Sequence, residues 1–280
     1  QKTDRVLWQT TLDEKDTKMH FAGDRVIKVI DSRQSRLQKL ITKIMSDFKS
    51  KPDSYVHLGY ESVTLSPETA KTLDLDTGGK SVQMSGRKGI YVSADFVLDA
   101  LSLRTFEEAK KRNTELDEMS HVKYSEQVAI GALRYAMIKQ DLDKIITFDL
   151  TESLSLEGDT GPYIQYAHAR AIRIIEKSGK TPNFEASLGE MNSVYEKDLA
   201  KVIGKFDLQV EDAAKNLSPK IIAKYCYQLA VSFNAFYEHV KVLTAGSESE
   251  INARLCLVHS FKETLAKALQ LLGIDAPDRM

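Results

Sequence analysis

Two tyrosines and an arginine fall on one stripe of a predicted helix. Tyr163, Tyr166 and Arg170 follow each other at helical spacing, so their side chains lie one above the other along the helix surface. Phenol rings and a guanidinium group stack well on unpaired nucleobases, which predicts capture of splayed bases of an RNA. The same stripe would equally suit packing against a neighbouring helix, because most aromatic side chains are buried. The spacing leaves both interpretations open.

The helix that carries these residues has well-defined predicted ends. Thr160 is a good N-cap, Pro162 suits the first turn, and Gly179 suits the stop. A separate apolar stripe predicts that the helix docks on a core. That stripe consists of Ile164, His168, Ile172 and Ile175. A histidine in such a stripe is interpreted as a hydrogen-bonded core residue rather than a metal ligand.

A carboxylate stands at the end of a predicted strand near the start of the chain. The strand runs from Arg25 to Asp31, and a helical pattern follows it. Ligands of layered α/β folds bind at the carboxyl ends of strands, so Asp31 is a candidate ligand-binding residue. The alternative is that Asp31 caps the following helix.

The rest of the chain changes character along its length. Further strands are predicted at 55–58 and 62–66, with helix starts at Ser66 and Ser93 and a polar loop from Asp74 to Gly89. This alternation indicates a layered α/β sheet. From about Phe96 onward the patterns are almost wholly helical and predict a bundle.

Composition limits the possible functions only weakly. The 280 residues carry a net charge of −1 with a pI near 6.7, so bulk charge does not indicate nucleic-acid binding. No apolar run predicts a membrane span or a signal peptide. Cys226 and Cys256 lack the spacing of a disulfide framework or a zinc site, which predicts a reduced, cytoplasmic protein.

Several separated motifs, in order, resemble one protein family. The pattern T-G-P-Y-x-Q-Y-A-x-x-R at 160–170 is similar to the entry of the anticodon-binding domain of arginyl-tRNA synthetases. The segments 252–258 and 271–280 resemble the ending of these enzymes, and 8–11, 29–35 and 83–90 resemble their archaeal-type members. The resemblance covers essentially the whole chain.

The resemblance implies a multidomain architecture of α/β plus all-α type. Residues 1–152 would form the C-terminal half of a Rossmann-like class I catalytic domain, with its connecting helices. Residues 153–280 would form the all-helical anticodon-binding domain. Within that domain the resemblance assigns contacts with the anticodon loop to Tyr163, Tyr166, Arg170, Met280 and Asn234. For Asn234, a structural role and an RNA-facing role are both left open.

The loop at 83–90 is similar to the second signature loop of class I synthetases. The resemblance implies that Ser85, Arg87 and Lys88 stabilise the charge on the pyrophosphate that leaves ATP. Gln83 and Gly86 replace the two lysines of the general pattern, so which cation faces the pyrophosphate stays open. Without the resemblance, this loop would be interpreted as a solvated basic turn.

The same resemblance implies the remaining nucleotide contacts. Asp31, Gln34 and Met84 would contact ATP. Other branches of the family have a histidine three positions after this glutamine, where the chain has Leu37, so no histidine role is implied.

The implied function is ATP-dependent activation of arginine, with Mg²⁺ accompanying ATP, and its transfer to the 3′ end of arginine tRNA. We expect a monomer that has no resident metal and does not associate with a membrane. The chain has no H-x-G-H motif, tRNA-elbow domain or arginine-binding D-G-T segment, so we expect weak tRNA binding without aminoacylation. A non-catalytic RNA-binding or scaffolding module is the main alternative, and the retained Asp31, Gln34, Arg87 and Lys88 argue against it. An unrelated α/β nucleotide enzyme would not require the helical C-terminal part.

Overall fold

The computed structural model describes residues 24–49, 54–75, 82–83, 92–112, 116–185, 191–244 and 246–280. The chain divides into two compact units, the first ending at Tyr60 and the second running from Glu61 to Met280.

The first unit is a short β-α-β arrangement. Strand β1 (Val26–Asp31) leads through a 3₁₀ turn (Ser32–Gln34) into helix α1 (Ser35–Lys49), and β2 (Tyr55–Tyr60) follows. The strands are parallel, in register from Val26 opposite Tyr55 to Asp31 opposite Tyr60. Parallel strands need such a crossover helix. Both predicted strands are confirmed, whereas the Rossmann-like catalytic half stays a prediction.

The second unit opens with a small three-stranded sheet. Its strands are β3 (Val63–Leu65), β4 (Val82–Gln83) and β5 (Ile146–Phe148), and α2 (Pro67–Thr72) lies between the first two. Strand β3 is central, antiparallel to β4 and parallel to β5. Two sequence predictions are corrected here. Strand β4 lies within the predicted 74–89 loop, and β5 interrupts the stretch predicted as helical from Phe96 onward.

Two long helices and one short one connect this sheet to the bundle. They are α3 (Ala94–Arg112), α4 (Glu118–Ile138) and α5 (Leu150–Ser153). Ser66 caps α2, as predicted, and its hydroxyl donates to Asp149, which caps α5. The core beneath them is apolar and includes Leu65, Leu101, Phe148 and Leu150.

The predicted helical bundle is confirmed. It contains α6 (Gly161–Ser178), α7 (Val194–Ile203), α8 (Phe206–Asn216), α9 (Pro219–His239) and α10 (Glu248–Leu271). Helix α9 packs against the four others, and its Phe233 ring stacks on Phe261 of α10 at 3.9 Å between centroids. The ends of α6 are also confirmed. The Thr160 hydroxyl caps its first turn, and Gly179 ends it in the left-handed conformation with φ of 60°.

Helices α4 and α6 approach closely where Gly131 faces Gly161. A Cβ atom added to Gly161 would lie 2.5 Å from the Gly131 carbonyl oxygen, so the crossing requires glycine there. Gln165 is fully buried beside it, and its Nε2 donates to the Gln127 carbonyl at 3.1 Å. Packing therefore continues across position 152, and the domain boundary proposed there stays a prediction.

None of the helices in the described ranges is long and apolar enough to cross a membrane.

Candidate nucleic-acid interface

An arginine lies between two tyrosine rings on the surface of the bundle. The Arg170 Cζ atom is 4.7 Å from the ring centroid of Tyr166 on the same helix and 4.5 Å from that of Tyr237 on α9. Both distances are within the range of a cation–π contact. We call Tyr166, Arg170 and Tyr237 the aromatic stack. The structure therefore brings Tyr166 and Arg170 together, as their spacing predicted.

Tyr237 was missed by the sequence analysis. The residue is 44% exposed, although it follows directly after Phe236, a core residue of α9. The sequence does contain a signal for Tyr237, because an aromatic side chain just outside the apolar stripe of a helix is a candidate binding residue on the surface. Its place opposite Arg170 depends on how α6 and α9 pack, which the local pattern does not contain.

Asn234 holds the guanidinium of the stack in place. Its side-chain Oδ1 accepts a hydrogen bond from Arg170 Nη1 at 2.7 Å, and the residue is only 9% exposed. A charge-assisted bond of this kind fixes the direction of the guanidinium plane. Of the two roles left open for Asn234, the structure supports the positioning role. A direct contact with RNA stays a prediction.

Tyr163 lies away from the stack. Its ring is half-buried, contacts Tyr227 of α9 at 5.8 Å between centroids, and packs against the bundle core. Much of the Tyr163 side chain therefore packs between helices, as the alternative interpretation predicted. Tyr166 and Arg170, in contrast, are half-exposed and belong to the aromatic stack. Contact between Tyr163 and RNA stays a prediction.

The C-terminal tail lies along α6 and brings Met280 to the same region. Gln165 Nε2 donates to the Asp275 carbonyl at 2.8 Å, and His168 Nδ1 donates to the Pro277 carbonyl at 3.1 Å. Arg279 Nη2 donates to Glu176 at 2.9 Å. Met280 and Tyr166 line the same cavity. One end of the predicted site is therefore assembled from α6 and the tail.

His168 is a buried, hydrogen-bonded core histidine, as predicted. Burial lowers the pKa of its imidazole, although Asp278, Glu263 and the Pro277 carbonyl oppose this and Lys262 adds to it. As pH falls, the imidazole takes up a proton in the unfolded chain before it does so in the folded one, and this proton uptake favours unfolding. The contribution of the neutral imidazole to the free energy of unfolding is therefore fully present above the ordinary pKa of about 6.5 and is lost as pH falls below it.

We predict that the free energy of unfolding decreases between pH 7.5 and pH 5.5 more steeply in the parent than in His168→Gln. The glutamine side chain can still donate to the tail but does not titrate. Urea unfolding at both pH values measures the difference. Identical pH slopes for the two proteins would rule out His168 as the source.

The predicted nucleotide contacts are only partly within the described residues. Ser85, Arg87, Lys88 and Met84 lie outside them. Asp31 caps the 3₁₀ turn, in line with the alternative interpretation that it is a capping residue. Its carboxylate accepts hydrogen bonds from the backbone N and the Nε of Arg33, at 2.8 Å each, and from Arg33 Nη2 at 2.6 Å. These bonds lower the pKa of Asp31 to about 2, so it is a carboxylate at neutral pH. Gln34 is exposed beside it. An ATP contact by either residue stays a prediction.

Comparison with known proteins gives consistent matches. The family described as DALR anticodon binding domain matches residues 164–280. The chain is 36% identical over 286 residues to an arginine–tRNA ligase of Pyrococcus abyssi, an alignment covering 99% of this chain and 43% of that protein. It is 41% identical over 197 residues to that of Methanothrix thermoacetophila, covering 70% of this chain and 35% of the relative.

A solved structure agrees with these sequence matches. The arginyl-tRNA synthetase of Thermus thermophilus superposes with a TM-score of 0.77 at 35% identity, covering 92% of this chain and 41% of that one. The chain thus spans less than half the length of the relatives that it matches.

Proposed function

Because the chain belongs to the arginyl-tRNA synthetase family, we propose that its helical bundle binds the anticodon loop of arginine tRNA and that the whole protein is an arginine–tRNA ligase. The aromatic stack is the observation that supports this proposal most directly. It lies on α6 and α9, within the 164–280 segment that matches the anticodon-binding family.

The stack has the chemistry that unpaired bases need. The half-exposed rings of Tyr166 and Tyr237 offer flat apolar faces, and the guanidinium between them supplies a fixed positive charge near the RNA backbone. Stacking of this kind reads unpaired RNA without a strongly basic protein. A net charge of −1 is therefore compatible with RNA binding at this surface. Tyr163, Asn234 and Met280 would complete the site.

The catalytic half of the proposal concerns the whole protein. Arginine would attack the α-phosphate of ATP, and the adenylate would pass its arginyl group to the terminal ribose of the tRNA. Ser85, Arg87 and Lys88 would stabilise the departing pyrophosphate, while Asp31, Gln34 and Met84 would contact the nucleotide. Mg²⁺ would enter with ATP as part of the substrate.

The test is direct binding of an RNA hairpin by the chain. A fluorescent hairpin carrying the anticodon stem and loop of an arginine tRNA should bind at least about tenfold more tightly than a hairpin with the same stem and the anticodon bases replaced. Fluorescence anisotropy at one fixed salt concentration measures both affinities, because RNA affinity depends on salt. Equal affinity for the two hairpins would contradict anticodon recognition.

A further inference from the structure

The position of Met280 depends on how the chain is held after the last helix, α10. Gly273 turns the chain in the left-handed conformation, with φ of 66°, and Pro277 is buried. Met280 is half-buried and lines one cavity together with Tyr166. We call residues 274–280 the C-terminal tail. The contacts that fix the middle of this tail therefore determine where Met280 lies beside Tyr166.

A single side-chain amide holds the C-terminal tail to two helices. Gln165 of α6 is fully buried, and its Nε2 donates to the Asp275 carbonyl at 2.8 Å and to the Gln127 carbonyl of α4 at 3.1 Å. Both hydrogens of the amide are thus used. The reversed orientation would place the amide oxygen against two carbonyl oxygens, so the amide has one favourable orientation. A shift of the tail along either helix would break one of these bonds and leave a buried group unpaired.

Helix α4 is shaped around this amide. A Cβ atom added to Gly131 would lie 2.6 Å from Gln165 Nε2 and 2.7 Å from Gln165 Oε1, so the amide occupies the space that glycine leaves. The Gln127 side chain adds a contact at the same point of the tail, because its Nε2 donates to the Asp275 carboxylate at 3.2 Å. Gln127 and Gly131 both lie outside the segment 164–280 that matches the anticodon-binding family.

We propose that Gln165 is a positioning residue for RNA binding, which acts by fixing the C-terminal tail so that Met280 lies beside Tyr166. This inference rests on the proposed function, in which Met280 contacts the anticodon loop. Since Gln165 is fully buried, it acts through the tail rather than on the RNA itself. His168 fixes a second point, because its Nδ1 donates to the carbonyl of Pro277, three positions before Met280. The geometry of the RNA site then depends on α4 as well as on the bundle.

Two variants disturb the amide in different ways. Gln165→Leu has a similar volume and removes both donated bonds. Gly131→Ala leaves Gln165 in the chain and pushes its amide aside, since the added Cβ meets the far end of that side chain. The matched controls are Gln228→Leu, which removes an exposed amide from α9, and Gly204→Ala, whose added Cβ has no neighbour nearer than 3.5 Å.

The first measurement needs no RNA. The chain is labelled with ¹³C in its methionine methyl groups, and the Met280 signal is identified as the one that disappears in Met280→Ala. In Gln165→Leu and Gly131→Ala we expect this signal to sharpen and to move towards that of methionine in an unfolded peptide, because the tail is released. The two controls should leave it unchanged. Circular dichroism checks that each variant is folded, and Gly131→Ala decides the question if Gln165→Leu does not fold.

The second measurement is binding of the anticodon hairpin by fluorescence anisotropy. Met280→Ala should weaken binding by about fivefold, the scale of a contact between a thioether and a ring. Gln165→Leu and Gly131→Ala should cause a loss of the same size, and the controls should cause none. When Met280→Ala is already present, either variant should add less than about twofold, because the side chain that it positions is gone. Losses that add in full would show that Gln165 does not act through Met280.

The outcomes separate this inference from the proposed function. If the parent chain prefers the arginine anticodon hairpin, but both amide variants leave the Met280 signal or the hairpin affinity unchanged, the positioning role of Gln165 is wrong and the proposed function stands. If the parent chain binds the two hairpins equally, the proposed function fails and this inference fails with it. A released tail, a matching loss of affinity and no further loss in Met280→Ala together support the inference.

Discussion

Tyr166→Ala should weaken binding of arginine tRNA by about 1–3 kcal/mol while leaving the helical content unchanged. Tyr166 is half-exposed, so its loss removes stacking surface without opening the core. The Arg170 guanidinium, 4.7 Å from the Tyr166 ring centroid, would also lose one of its two aromatic neighbours. Fluorescence anisotropy measures the affinity, and far-ultraviolet circular dichroism measures the helical content.

Two companion variants make this result specific. Tyr166→Phe should keep most of the affinity, because the ring rather than the hydroxyl stacks on a base. Tyr60→Ala removes an exposed ring from the first unit and should leave tRNA affinity unchanged. Equal binding by Tyr166→Ala and the parent would refute the assignment of the aromatic stack to RNA.

Arg254→Met should decrease the free energy of unfolding by about 3–5 kcal/mol. Arg254 lies in the N-A-R-L segment at 252–255, one of the motifs that resemble the family. Its Nε donates to the fully buried carboxylate of Glu196 on α7 at 2.6 Å, and its Nη1 donates to the Lys241 carbonyl at 2.9 Å. Removing the arginine leaves the Glu196 charge buried, with the Ser193 backbone N at 2.8 Å as its remaining donor among the residues that the structure describes.

The double variant Glu196→Leu with Arg254→Met separates loss of the pair from loss of one partner. Replacing a buried ion pair by apolar side chains is often nearly neutral, so we expect the double variant to recover much of the lost stability. Urea unfolding of the parent, both single variants and the double variant gives the coupling energy. A double variant as unstable as the sum of its singles would show that the pair does not act as a unit.

The sequence predicted the elements whose signals are local. Strands β1 and β2 were predicted from short runs rich in apolar residues, and α6 was predicted from Thr160, Pro162 and Gly179 at its ends. Both kinds of signal depend only on residues that are close in the sequence. Strand β5 was missed because it has three residues and is stabilised by pairing with β3, far away in the sequence. Strand β4, which has two residues, was missed because it too is stabilised by pairing with β3.

In the candidate site, too, only the residues whose signals are local could be predicted from the sequence. The shared face of Tyr166 and Arg170 follows from helical spacing alone. Tyr237 and the bond between Arg170 and Asn234, whose residues are 64 positions apart, depend on the packing of α6 against α9.

The close crossing of α4 and α6 has a practical consequence for anyone who wishes to isolate the helical bundle. A polypeptide starting at residue 153 would leave Gly161 and Gln165 facing solvent, since Gly131 and the Gln127 carbonyl would be gone. Gln165 also anchors the tail through Asp275, so the truncation would loosen the segment that carries Met280. An excised bundle must therefore retain α4, and the compact unit that contains α4 runs from Glu61 to Met280.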